Sequence, residues 1–434
     1  MSFLDRLVDS VEAYQKELWR DRHPYLTLEG GKWEVKKNGS GCRPVKAQAA
    51  MTMDKNPPPL LGELTEPASS LTANAKTAAS TKEADAILQK RAAEDAKKKT
   101  AQEKQEDCPQ PPPFDMLDLP DGMTAMGFKY AAHCANKWFN GRAHVIKEEQ
   151  KGKPAAIQPA EFVDKDTFNL DWILKFGDVR ARYKHLLEVG SSPSEYNIYS
   201  NRARMVLKKN FQDFIAQHND FYSGTLDTLA NCGKDLQVLH QRFHFQHARV
   251  TNFDVLGGYT AAMNDLAASL ANFNFYAAIA TAEISTQQYM RYGEKWWSCT
   301  KTKVEITHIF VYVKDVYSFN DKTDISQYLG HWNRQGVIIT SDAAVADIFK
   351  MPELGNEPRQ YLPALPAHFD KPVDIKSSLR KADVFFPVRN RDFCRWREIK
   401  GRGGDFLIFS NLQKIRLPNP IVIDLSEVCK ENKK

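Results

Sequence analysis

The aromatic side chains of this 434-residue chain are spread very unevenly. Of its 24 Phe, 15 Tyr and 8 Trp residues, only Phe3, Tyr14, Trp19, Tyr25 and Trp33 precede residue 114. Burial of large apolar groups drives folding, so a core has to be built from residues 114–434. Residues 65–113 carry no aromatic; among eleven Ala, eight basic and eight acidic residues, Leu71, Ile87 and Leu88 are the only large aliphatics. Such a segment cannot offset its own ordering entropy and reads as a spacer. Its Thr81–Glu106 part is rich in helix formers, and CPQPPP (Cys108 to Pro113) ends any helix there.

The organisation expected is therefore an N-terminal segment at 1–64, the spacer at 65–113 and a main domain at 114–434. Within 1–64, Phe3, Leu4, Leu7, Val8, Val11, Tyr14 and Leu18 recur at helical spacing, which predicts an amphipathic helix over residues 3–19. That helix either docks on the main domain or engages a partner. KNPPPLLGEL (Lys55 to Leu64) reads as an extended connector. In the main domain, helical patterns dominate residues 114–235, with helices expected at Met123–Phe139, Asp166–Leu187 and Glu195–Gln217. Strand patterns dominate 236–425: Phe243–Val250, Phe273–Ile284, Val304–Val313, Val337–Thr340, Asp405–Leu417 and Ile421–Leu425. A helix is expected around Thr260–Leu270 and another over Asn390–Glu398. Helices first and a mixed or antiparallel sheet later define an α+β fold.

The formal net charge of +6 is small for this length, so a nucleic-acid partner is not expected. The seven cysteines lie at least 26 residues apart with no CxxC pair, which predicts reduced thiols and synthesis in a reducing cytoplasm. The N-terminus lacks the apolar core of a cleaved signal, and no apolar run approaches the ~20 residues that span a bilayer. Export, if it occurs, would need no cleaved signal. GxSxG, GxGxxG and P-loop spacings are missing, and no cofactor is implied.

Three residue groups merit weighing as sites. His240, His244 and His247 would share one face of a helix and suit a metal, but the alternation of Phe243 and Phe245 with His244 and Gln246 favours a strand, which splits them. HQRFH also lacks the glutamate base of HExxH, so no metal site is expected. Asp315 and Tyr317, with His331 and Asn333, are of the right types for acid–base work, His331 moving the proton and Asp315 orienting it. The plainer reading has Asp315 in a turn and Tyr317 packing the sheet. Arg389, Arg391, Arg395, Arg397, Lys400 and Arg402, followed by GRGG, could hold an anion; a solvated basic helix explains the same run.

Several separated stretches together carry a family resemblance: FDMLDLPDGM, KWFNG, MNDLAASLANFNFYAA, VYVKDVYSFND, QYLGHWN, PVRNRDF and GRGGDFLIFS. Over roughly residues 114–425 the chain resembles an uncharacterised bacterial domain family that carries only a domain-of-unknown-function label. The resemblance implies a setting near type VI secretion genes and supplies no catalytic residues. On that basis the expected function is an antibacterial effector, made in the cytoplasm and delivered to other cells. Residues 1–64 would then meet the secretion apparatus or a neighbouring gene's product, and a cognate immunity protein would be expected. The alternative is a non-enzymatic adaptor or immunity protein.

Overall fold

The computed structural model describes residues 25–26, 32–35, 42–45, 51–60, 114–147, 157–188, 196–251, 254–255, 263–320, 326–338 and 384–431. The helix expected at 3–19 and the spacer at 65–113 lie outside the described residues. The strands are β1 (Tyr25–Leu26), β2 (Lys32–Val35), β3 (Cys42–Val45), β4 (Met51–Thr52), β5 (Phe114–Asp115), β6 (Val163–Phe168), β7 (Gly224–Asp227), β8 (His244–Val250), β9 (Phe273–Tyr292), β10 (Trp296–Tyr317), β11 (Tyr328–Asn333), β12 (Gly336–Ile338), β13 (Val384–Arg389), β14 (Phe406–Ser410), β15 (Gln413–Asp424) and β16 (Val428–Glu431). The helices are α1 (Leu119–Ala125), α2 (Lys129–Asn140), α3 (Leu170–Ile173), α4 (Val179–Leu187), α5 (Asn201–Ala216), α6 (Thr228–Asn231), α7 (Leu236–Phe243), α8 (Asp265–Ser269) and α9 (Asn390–Lys400). The fold is α+β. Two compact units divide these elements: one takes Met123–Ser326 and Asn390–Lys434, the other Glu17–Gly122 and Gln327–Arg389.

The first unit is organised on one strand. β10 runs for 22 residues, pairs with β9 along one edge, and on the other edge meets β16, β15 and β14 in succession. β8 and β7 extend β9 outward, and β6 adds to β14 in parallel. β10 can run this far because β-branched residues fill it and its burial changes along its length. Thr302, Val304 and Ile306 alternate with solvent-facing neighbours, whereas Ile309–Val313 is buried on both faces. Both strands outrun the expected Phe273–Ile284 and Val304–Val313, because polar, solvent-facing residues continue the ladder to the Gly293–Lys295 turn.

Several local expectations change. Met123–Phe139 is not one helix but is broken between α1 and α2, where Gly127 takes a positive φ, and Asp405–Leu417 is divided between β14 and β15. Asp166–Leu187 is not one helix: β6 continues to Phe168, and α3 and α4 follow separately. Asn169 caps α3 through Asp171 N, at 2.8 Å, which starts a helix where periodicity alone had already placed one. The cysteines also differ from expectation. Cys299 and Cys429 form a disulfide between β10 and β16, while Cys134, Cys232 and Cys394 are buried without one. Spacing could not show this, because the pair is separated by 130 residues and brought together by strand register.

Asp405 closes this unit. Its carboxylate is fully buried and accepts from Trp138 Nε1 on α2 at 3.0 Å, Ile146 N at 3.1 Å and Phe319 N at 3.4 Å. Arg397 on α9 completes the set through Nη2 at 2.5 Å. Burial pushes the Asp405 carboxyl above its ordinary range, and the Arg397 charge opposes that. Gly403, with φ +99°, brings its backbone against the Trp138 ring, where a Cβ would sit 2.5 Å from Cη2 and 2.9 Å from Cζ2 and Cζ3 of the indole.

In the second unit, β11, β12, β13 and β1 make a four-stranded sheet. β5 pairs with β4, so Met51–Leu60 is tied to the start of the family-like segment. Asp115 accepts from Thr52 Oγ1 at 2.8 Å and Asp54 N at 2.7 Å. Asp118 is ion-paired with Lys55 and, at 3.1 Å, with Arg334. Burial alone would raise Asp118, but these partners hold it below its ordinary value. A Cβ on Gly122 would meet Asn333 O at 2.4 Å. FDMLDLPDG and QYLGHWN therefore lie against each other.

Replacing one member of a buried ion pair leaves the other charge uncompensated, at a cost of about 3–5 kcal/mol. Asp405→Ala is expected to lose about that much stability, read as a lower denaturant midpoint in chemical unfolding. Gly403→Ala should also destabilise, through contact with Trp138 and a φ that L-residues resist. An unchanged midpoint for both would remove Asp405 from its central place.

Candidate functional site

The polar face with the most chemistry comes from β8, β9, β10 and the end of α7. Register places His247 opposite Tyr276 and Tyr276 opposite Tyr312. Two residues along the same face, Arg249, Asn274, Lys314 and Phe409 form the next row. Directly opposed residues share a face and sit within side-chain reach. α7 and the turn into β8 bring His240 and His244 onto this row, with their rings stacked at 4.3 Å and the His240 ring edge-on to Tyr276 at 4.7 Å. Asp235 caps α7 by accepting from Gln237 N and Val238 N. The helix then ends at Phe243 and the chain enters β8, so the histidines straddle a helix–strand junction. The helix reading and the strand reading of LHQRFHFQH each hold for part of it.

Burial sets the charge state. It holds His240 down at about 2, helped by the neighbouring His244, Lys314 and His247. His244 and His247 are lowered for the same first reason, with Lys314 beside one and Arg202 beside the other. The imidazoles are neutral at physiological pH. His240 Nδ1 lies 2.8 Å from Tyr312 Oη, and burial pushes that phenol far above its ordinary value, so it keeps its proton. His244 Nδ1 contacts the His240 carbonyl. A carbonyl only accepts, so Nδ1 carries the hydrogen and Nε2 holds the lone pair. Tyr276 is raised to about 12, mainly by burial. Lys314 is lowered by burial, with Asp315 opposing. The face thus offers a basic imidazole nitrogen, proton-bearing phenols and cationic groups, a set suited to acid–base work on an anionic group.

The residues singled out from sequence are distributed as follows. His331 is buried on β11 in the second unit. Asp315 and Tyr317 lie on β10 in the first unit, on the face opposite Lys314. Tyr317 is buried, stacked on Phe406 at 5.3 Å and edge-on to Phe319 at 5.1 Å, with its phenol raised well above the ordinary value by burial. Asp315 and Tyr317 thus share a face, whereas His331 belongs to another unit. Of the basic run, Arg389 lies at the end of β13 in the second unit, while Arg391, Arg395, Arg397 and Lys400 lie on α9. Arg397 points inward to Asp405, with its guanidinium 5.1 Å from the Trp138 ring centroid. Arg402 donates to Gly141 O at 3.2 Å and Asn140 O at 2.6 Å. Those two cations serve packing; Arg395 faces solvent.

A further acid–base group has no sequence signal. His133 Nε2 lies 2.9 Å from Asp164 Oδ2 and 3.0 Å from Thr167 Oγ1. Burial would raise Asp164, but hydrogen bonds from His133 and Thr167 outweigh it and hold the carboxyl at about 2. Both partners address the same imidazole nitrogen, whereas a relay needs them at opposite nitrogens. The cluster pins β6 to α2. The residues missed on the histidine face, Tyr276, Tyr312 and Lys314, come from strands remote from the histidines in sequence; they lie within MNDLAASLANFNFYAA and VYVKDVYSFND, stretches that mark the family without spelling a known chemistry.

Among the described residues, no helix is long and apolar enough to cross a membrane. The fold and this face define an α+β protein with a half-buried histidine–tyrosine site on a long curled sheet. The chain belongs to the family of unknown function DUF6402, which matches residues 114–425. Neither a curated protein nor a solved structure matches it.

A histidine whose pKa is lower when folded stabilises the protein above its unfolded value and loses that contribution as pH falls. For His240 the window runs from 6.5 down to about 2, with a slope of about 1.4 kcal/mol per pH unit. Thermal midpoints should therefore fall as pH drops from 7 to 5, and His240→Gln should flatten the fall. Tyr312→Phe removes the partner of His240 Nδ1 and should cost about 1–3 kcal/mol, measured by chemical unfolding at pH 7.5.

Proposed function

We propose that this chain is an antibacterial effector whose chemistry runs on the histidine face of its C-terminal domain. The observation that carries this reading is the juxtaposition of neutral His244 and His247 with Lys314 and Tyr276 on a rigid sheet. Burial perturbs all four groups in one place, a clustering that supports a functional site. Lys314, Arg249 and Arg202 around it favour an anionic substrate group. The Cys299–Cys429 disulfide supports work in an oxidising compartment. Delivery by type VI secretion, with residues 1–64 meeting the apparatus and an immunity protein guarding the producer, is the route that the family resemblance favours.

A second reading, an adaptor or immunity protein, has its own support. Beyond Thr286 and Thr302, the face of β9 and β10 that is buried nearer the body continues with Met290, Tyr292, Trp296 and, on β16, Val428. Tyr292 is 67% exposed and Trp296 50%. Clustered exposed aromatics at the end of a ribbon suit a partner surface.

Growth after induction of the full chain, with and without an export signal, separates the two. An effector should arrest growth in one compartment only, and His244→Ala should relieve the arrest while leaving the circular dichroism unchanged. Harmless expression in both compartments would overturn the effector reading. Stoichiometric co-purification with a partner, lost in a Tyr292→Ser, Trp296→Ser double variant, would establish the adaptor.

A further inference from the structure

Away from the histidine face, the end of the sheet brings together three groups of types that ligate zinc. β10 pairs with β16 so that Cys299 stands opposite Cys429. Glu427 lies just before β16 and brings its carboxylate near the two sulfurs. The ligand atoms of Cys299, Glu427 and Cys429 all lie within 4.8 Å of one another, the sole such group among the described residues. Cys299 is buried, Cys429 half-buried and Glu427 exposed, so the group has an interior wall and an open side. With the sulfurs bonded to each other it cannot hold a metal. Reduced, the same pair supplies two thiolates, the form of cysteine that binds zinc.

Charge balance favours that use. Two thiolates and one carboxylate carry three negative charges, and a zinc ion carries two positive ones. The remaining charge is met by Arg291, whose Nη1 lies 3.0 Å from Glu427 Oε2. Water would take the fourth position of a tetrahedral ion. Cys134, Cys232 and Cys394 stay unbonded in the interior, as in a chain that folds among reductants. There the Cys299–Cys429 pair would also start as thiols, and β16, four mostly exposed residues on the sheet edge, would lack its cross-link.

We propose that Cys299, Cys429 and Glu427 form a zinc site that alternates with the disulfide, clamping β16 to β10 in either redox state. The exchange balances with a small-molecule disulfide as oxidant. One protein thiolate attacks that disulfide and expels a thiolate, forming a mixed disulfide. The second protein thiolate attacks the mixed disulfide at the protein sulfur and expels the other small thiolate. The protein sulfurs lose two electrons, the oxidant gains them, and Zn2+ departs. This inference goes beyond the effector reading and does not depend on it.

The test uses the full chain, reduced without oxygen, freed of reductant and titrated with Zn2+, with Co2+ as the spectroscopic probe. One metal per chain is expected, with thiolate-to-Co2+ charge-transfer absorption and release of the metal on adding oxidised glutathione. The oxidised chain should bind none. Cys429→Ser should lose the site, Cys232→Ser should keep it, and Glu427→Gln should bind roughly tenfold or more weakly. If Cys429→Ser does not fold, Glu427→Gln decides, since it leaves both thiols and the strand pairing in place. A reduced chain that binds no zinc, equal binding by the oxidised chain, or affinity untouched in Glu427→Gln would each overturn the proposal.

Discussion

The Asp405 carboxylate is the point on which the first unit depends. A buried carboxylate is costly unless its lone pairs are filled, and here the fillers come from four parts of the chain. Trp138 brings α2, Ile146 the segment after it, Phe319 the end of β10 and Arg397 helix α9. The indole of Trp138 then packs edge-on against Phe139, Phe319 and Phe393. Removal of the charge would leave donors without an acceptor and loosen elements that share no direct strand pairing. That geometry also accounts for GRGGDF: the glycines admit the indole and the aspartate receives it.

The same logic in a gentler form shapes the histidine face. Stacking His240 on His244 is tolerable only while both are neutral, and burial keeps them so. The tautomer of His244 follows from its carbonyl partner, which leaves a basic nitrogen beside phenols that hold their protons. The face is thus preorganised by the backbone turn from α7 into β8. It costs the protein acid stability, because protonating these buried imidazoles opposes folding.

The family-like segments sort by what they touch. FDMLDLPDG is a capped turn whose carboxylates gather Thr52, Lys55 and Arg334, QYLGHWN supplies the strand against Gly122, and GRGGDF receives Trp138. These are structural duties. MNDLAASLANFNFYAA and VYVKDVYSFND differ from these: they carry Tyr276, Tyr312 and Lys314 onto the histidine face.

The α+β character was legible in the sequence, because helix and strand periodicities are local and each segment reports its own. The concentration of aromatics after residue 114 was visible in the same way, and aromatics are needed wherever apolar burial must be large. The three histidines were visible as a cluster, but their partners Tyr276, Tyr312 and Lys314 were not, because cross-strand neighbours are set by register over dozens of residues. Arg397 read as a surface cation, and only the approach of Asp405 showed it turned inward. Cys299 and Cys429 read as distant thiols until β16 was paired with β10. Local sequence decides which elements form, through propensity and patterning. Which charges are buried together, and which thiols meet, is decided only by tertiary structure, because those energies depend on distances that no local pattern encodes.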